Sequence, residues 1–149
     1  ARHLCAKAIM GQTKGADMAR GIGIDLVRIG DVADHLGNAV CTCNTAASPW
    51  LTHLFTSTEL EMAFARQQPA EFLAGRLAVK HAARKALGPL INGEFDLRWV
   101  ETLRATSGAP YVNVEIPALR KALDEAHVDE LLVSISNDGG YAAAIVLAQ

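Results

Sequence analysis

The chain has 149 residues, half of them hydrophobic, and a formal net charge of −2. That length suits one domain with a real core and excludes two ordinary ones. The near-balanced charge excludes a general nucleic-acid binder, which carries a strong basic excess, and leaves room for a local basic cluster aimed at a phosphorylated small molecule.

Residues 1–17, ARHLCAKAIMGQTKGAD, lack the continuous apolar core of a signal peptide. They read as a leader or expression remnant, with Met18 opening a domain over 18–149. No apolar run reaches the length of a membrane span, so a cytoplasmic protein is the default expectation. Cys5, Cys41 and Cys43 form an odd set without framework spacing. The Cys41-x-Cys43 pair is one residue short of the C-x-x-C of redox and zinc sites, so these read as reduced thiols.

Arg20 to Val27, RGIGIDLV, reads as a strand whose glycines allow close backbone approach. Gly30 to Leu36 reads as a short helix stopped at Gly37, and Asn38 to Trp50 as a loop containing Ser48-Pro49. Thr56-Ser57-Thr58-Glu59 carries a capping box, predicting a helix to about Arg66. The best-defined helix follows. Pro69 suits its first position, Glu71 its positive end, and Gly88-Pro89 its stop. Ala70, Ala74, Ala78, Ala82 and Ala86 recur every fourth residue, a small-residue stripe that lets the helix lie close against a sheet.

Leu97 to Thr106 and Tyr111 to Val114 read as strands around a Ser107-Gly108 turn. Pro117 opens a helix to about His127. Leu131 to Ser136 and Tyr141 to Leu147 are apolar strands joined through Asn137-Asp138-Gly139-Gly140, residues that tolerate positive φ. The order predicts a single α+β domain, its long central helix packed on a largely antiparallel sheet.

Chemistry concentrates on the long helix. Arg76, Lys80 and Arg84 lie four apart, as do His81 and Lys85, on adjacent stripes. A solvated face is the plain reading of such a pattern; a site for several phosphates is the functional one. Asp25, after a run of apolar strand residues, reads alone as a turn or cap residue, and as a metal ligand only if a second ligand meets it.

Gly21-Ile22-Gly23-Ile24-Asp25-Leu26 resembles the opening strand of holo-[acyl-carrier-protein] synthases. Phe55-Thr56 with Glu59 resembles their next block, and Phe72 to Gly88, FLAGRLAVKHAARKALG, resembles their central helix. Gly108-Ala109-Pro110 fits their turn; Val133 to Asp138 and Tyr141 to Ala144 fit their last hairpin. Five ordered blocks cover nearly everything from Met18 onward.

The resemblance implies a small trimeric 4′-phosphopantetheinyl transferase and its fold. Such an enzyme moves phosphopantetheine from coenzyme A, its co-substrate, to a serine of an acyl carrier protein or a synthase carrier domain, and releases adenosine 3′,5′-bisphosphate. It further implies a divalent cation, normally magnesium, and a homotrimer with shared active sites; no nucleic acid or membrane is involved. By motif match Asp25 binds the metal, Lys85 contacts the pyrophosphate, and Arg76 and Lys80 hold coenzyme A phosphates. Pro110, Ser136 and Asn137 line the nucleotide end from the neighbouring subunit, and Gly88 allows close approach near the helix end.

Two departures qualify this. The family's central helix reads Lys-Glu-Ala, its glutamate a metal ligand and candidate base; here it reads Lys80-His81-Ala82. Imidazole suits manganese or softer ions better than magnesium. His81 is therefore read as a ligand for another metal, or as leaving magnesium to Asp25, phosphates and water; as a general base only; or as the mark of a coenzyme A-binding homologue with impaired catalysis. The favoured reading is retained metal chemistry with weakened magnesium binding. Second, the helix after Asp25 carries Arg28 but also Asp31 and Asp34, which lowers complementarity to an acidic carrier and points to a less acidic one.

Overall fold

The computed structural model describes residues 18–40 and 48–149, so the segment 1–17 and all three cysteines lie outside the described residues. The elements in chain order are β1 (Gly21–Arg28), α1 (Ile29–Val40), α2 (Pro49–Leu54), α3 (Ser57–Phe64), α4 (Pro69–Leu87), a 3-10 turn (Leu97–Trp99), β2 (Thr102–Arg104), β3 (Pro110–Val112), α5 (Pro117–Glu125), β4 (Leu131–Asp138) and β5 (Tyr141–Ala148). The expected α+β architecture holds. Among the described residues no helix is long and apolar enough to cross a membrane.

Strands β1, β5 and β4 pair antiparallel in that order, and β2 with β3 forms a separate two-stranded sheet. The β4–β5 hairpin is tighter than its sequence suggested. Pairing runs to Asp138↔Tyr141, and only Gly139 (φ 56°) and Gly140 (φ 81°) turn the chain. Two successive positive φ values are what a two-residue hairpin of right twist demands.

The centre of the fold is α4 lying across the three-stranded sheet. Ala74, Ala78, Ala82 and Ala86 are all buried, as are Ala142, Ala144, Val146 and Ala148 of β5. The two rows of small residues let helix and sheet approach closely. The contact is tightest at β1. A Cβ on Gly21 would overlap the Ala86 carbonyl oxygen, and one on Gly23 would overlap that of Ala82 and stand 2.8 Å from the Ala86 nitrogen. Leu119 and Leu123 of α5 close the core from one side, and Val32, Leu36, Leu51 and Phe55 from the other.

Three elements differ from the sequence expectation. Gly37 does not end α1, which runs to Val40; a mid-helix glycine costs only about 1 kcal/mol and need not terminate it. Pro49 starts the unexpected α2, anchored where Trp50 stacks on His35 with ring centroids 4.2 Å apart. The run expected as a strand from Leu97 begins as a 3-10 turn instead, because Asp96 caps it by accepting from the Arg98 amide. Only Thr102–Arg104 is extended and paired.

The Thr56–Glu59 capping box forms as expected, with both reciprocal bonds present. Glu59 does more than cap. It is fully buried, accepts from the Thr102 amide at 3.1 Å, and pairs with Lys80 at 2.8 Å. One carboxylate thus ties the start of α3 to α4 and to β2.

Candidate active site

Side chains alternate along β1, so Gly21, Gly23, Asp25 and Val27 face α4 while Ile22, Ile24 and Leu26 face the other way. The glycines bring the strand against the helix. Asp25, two residues past Gly23, then meets the last two turns of α4. His81 Nδ1 lies 3.0 Å from Asp25 Oδ2, and the Lys85 ammonium donates to Asp25 Oδ1 at 2.6 Å and to the Ile24 carbonyl at 2.9 Å. A carboxylate only accepts, so His81 Nδ1 carries the proton in this contact, and in the neutral ring it is Nε2 that keeps the lone pair. Exposure grades outward from Asp25 (15%) through His81 (29%) to Lys85 (55%). The three form an accessible acid, imidazole and ammonium group at one end of the helix.

A cleft of about 680 Å³ lies near the other end, bordered by Arg66, Arg76, Arg104, Phe72, Pro110 and Asn137 among others. Arg76 is only 3% exposed, yet its Nε and Nη2 have no hydrogen-bond partner. Its guanidinium lies 4.2 Å from the Phe72 ring centre, and Arg66 packs on the same ring at 4.5 Å. Burial pushes the Arg76 guanidinium down to about 10, partly offset by Glu59, so it stays cationic at neutral pH. Buried donors left unmade are costly; here they border a cleft with two further guanidiniums, the arrangement of an anion site. Asn137 donates to Glu71 at 3.0 Å across the cleft wall.

The two cationic stripes therefore separate. Arg76 and His81 are five residues apart, about 140° around a helix, and in one chain they serve different sites. Lys80 serves neither. Expected on the phosphates, it is fully buried; its ammonium is held by Glu59 at 2.8 Å, the Val100 carbonyl at 2.6 Å and the Leu97 carbonyl at 3.2 Å. Burial lowers its affinity for a proton and Glu59 opposes the shift. A lysine with its donors so committed is an internal brace, and the phosphate role expected for it is corrected on that ground.

Of the other expected residues, Pro110 and Asn137 border the Arg76 cleft. Ser136 faces away from it, on the side of the sheet shared by Ala143 and Ile145. Gly88 caps α4 in right-handed helical geometry (φ −51°). A Cβ there would stand 2.8 Å from the Arg84 carbonyl oxygen, so its smallness serves the helix end. Arg66, Arg104 and Glu71 were not anticipated in the cleft. Arg66 and Arg104 sit in no periodic pattern that could have marked them.

A divalent ion fits the Asp25 cluster in part. Two adjacent ligands of an octahedral magnesium stand about 3 Å apart, given metal–oxygen distances near 2.1 Å, and Asp25 Oδ2 and His81 Nδ1 have that separation. Among the described residues no third His, Cys, Asp or Glu joins them. Since His81 Nδ1 bears the proton of its contact with Asp25, the chain offers one ready carboxylate and an imidazole that could ligate only after giving up that proton, a set that would hold such an ion only together with phosphate oxygens and water.

On the remaining sheet face, Ile22, Ile24 and Leu26 are 62–65% exposed, beside exposed Leu132 and Ile145. Arg28 pairs loosely with Asp31 at 3.9 Å at the start of α1, both well exposed.

A family model described as the 4′-phosphopantetheinyl transferase superfamily matches residues 21–146. A holo-[acyl-carrier-protein] synthase of Alkaliphilus oremlandii is 32% identical over 133 residues, covering 88% of this chain and 99% of its own. One of Syntrophotalea carbinolica is 35% identical, with 85% and 93% covered. Among solved structures, the synthase of Neisseria meningitidis superposes with a TM-score of 0.72 at 26% identity, over 89% of this chain and 99% of its own. A Chronobacterium ammoniagenes synthase in complex with coenzyme A gives 0.66 at 29% identity, over 87% and 96%.

Proposed function

Because the chain belongs to the 4′-phosphopantetheinyl transferase superfamily, among the holo-[acyl-carrier-protein] synthases, we propose that it transfers the phosphopantetheinyl group of coenzyme A to a serine of an apo carrier protein. The observation that carries this reading is the meeting of Asp25, His81 and Lys85 at 3.0 and 2.6 Å.

The carrier serine attacks the β-phosphorus of coenzyme A. The new Oγ–P bond forms as the bond to the bridging oxygen breaks, and adenosine 3′,5′-bisphosphate leaves. His81 Nε2 takes the serine proton, with Asp25 holding the opposite nitrogen and so fixing the tautomer. Lys85, on a flexible and half-exposed stem, follows the charge that builds on the bridging oxygen. A divalent ion, when bound to Asp25 and the phosphates, would add neutralisation of the pyrophosphate. Arg76, Arg66 and Arg104 would take the phosphates at the nucleotide end.

Since the arginine cleft and the Asp25 cluster occupy different sides of α4, one coenzyme A would bridge the cluster of one subunit and the cleft of the next. The open row Ile22, Ile24 and Leu26 supports such an assembly, because apolar surface of that extent is seldom left to water. Sedimentation at micromolar concentration should give a trimer; a stable, fully active monomer would rule out the shared site. Asp31 and Asp34 on α1 favour a carrier of modest negative charge.

The test is direct. The chain is incubated with coenzyme A, an apo carrier and either magnesium or manganese, and the carrier is weighed. Gain of one phosphopantetheinyl mass is expected; coenzyme A binding without transfer would refute the reading. The alternative of impaired catalysis draws no support from the relatives named above, all of them synthases. His81 still leaves its mark on the metal requirement. A His81→Glu variant supplies a second carboxylate, so the magnesium needed for half-maximal rate should fall by roughly tenfold. An unchanged or higher requirement would show that His81 costs nothing in magnesium affinity.

A further inference from the structure

Both oxygens of Asp25 are occupied in the free chain. His81 Nδ1–H fills one and the Lys85 ammonium the other, and Lys85 is fixed a second time by the Ile24 carbonyl. A divalent ion on that carboxylate would stand within a few ångströms of the ammonium. Like charges at such range repel strongly unless anions lie between them. The remaining donors are too few to overcome this, since among the described residues no third ligand of the right type is present.

We infer that Lys85 is the resident counter-cation of Asp25, and that a divalent ion replaces it only together with a pyrophosphate. The inference rests on the transferase reading and concerns the order in which its ligands assemble. Pyrophosphate supplies what each cation lacks: oxygen ligands for the metal, and a new anionic partner for the ammonium. The exchange is sterically open because the Lys85 side chain is 55% exposed and has room to swing from Asp25 to a phosphate. It also delivers the ammonium to the phosphate at the moment the metal arrives. Metal and coenzyme A then bind as one cooperative unit, and the free enzyme stays metal-poor.

Manganese serves as the probe, its binding followed by electron paramagnetic resonance without turnover. The wild-type chain should bind manganese alone weakly, and coenzyme A should tighten it by roughly tenfold or more, a typical coupling between two ligands, beyond manganese bound to coenzyme A free in solution. Lys85→Met should bind manganese alone about tenfold more tightly than wild type, and Lys85→Gln should behave alike. Adding Asp25→Asn to Lys85→Met should erase the gain. The inference fails if neither Lys85 variant gains affinity, if the gain survives loss of Asp25, or if wild type binds manganese equally well with and without coenzyme A. Calorimetry with coenzyme A in the presence of manganese separates the two readings. No binding of coenzyme A would sink the transferase reading, while the comparison of wild type and Lys85 variants in manganese alone still decides the role of Lys85.

Discussion

An Asp25→Asn variant should fold normally and lose transfer activity by about a thousandfold or more, the scale on which a preorganised charge or a tautomer-fixing carboxylate acts in other enzymes. The size follows from the roles meeting at one side chain. Asp25 is the partner of His81 Nδ1 and of the Lys85 ammonium, and among the described residues it is the only carboxylate at the cluster. Asparagine keeps the shape, but its single carbonyl oxygen cannot replace the two acceptors that His81 and Lys85 use, and it no longer balances the lysine's charge. The rate is read from the mass gain of an apo carrier, and the fold from a thermal melt beside wild type. A variant keeping a tenth of the rate would remove Asp25 from the chemistry.

Gly23→Ala should be among the most damaging single-methyl changes in the chain, costing about 4 kcal/mol or more, at the exceptional end for a point substitution. The added carbon would overlap the Ala82 carbonyl oxygen and stand 2.8 and 2.9 Å from the Ala86 nitrogen and the Ala82 carbonyl carbon. All three atoms are helix backbone, so no side chain can swing aside; α4 itself must move. Gly37→Ala is the matched control. Nothing lies within 4 Å of its added carbon, and replacing a mid-helix glycine should stabilise by up to about 1 kcal/mol. Urea melts of the two variants should move in opposite directions. Equal midpoints would mean the strand and helix are not held as closely as described.

These two residues also show what a sequence can disclose. The helix Pro69–Leu87 was readable because its start, stop and alanine period are local, and the glycines of β1 were readable as a site of close approach. The short helix from Pro49 was not, since six residues cannot display a period and its anchor is a stack of Trp50 on His35. Lys80 was misread for a related reason. Its spacing matches Arg76 and Arg84, but its direction is decided by Glu59, 21 residues earlier, and by two carbonyls further on. Spacing placed Asp25 and Lys85 on their elements, while only the packing of β1 on α4 could bring them within 2.6 Å. The arginine cleft draws on α4, β2, β3 and β4, spread from Arg66 to Asn137, so no short window of sequence contains it.

The bare backbone at Gly21 and Gly23 has a last consequence, for alignment. Side chains in a strand change sides at each step, so a slip of one residue against β5 would turn Asp25 outward and drive Ile22 or Ile24 into the helix. Neither isoleucine could be accommodated where a single methyl already collides. The two glycines therefore act as a key that admits β1 in one register only. The aspartate is delivered to its partners by the shape of its neighbours, before its own charge has any part in the choice.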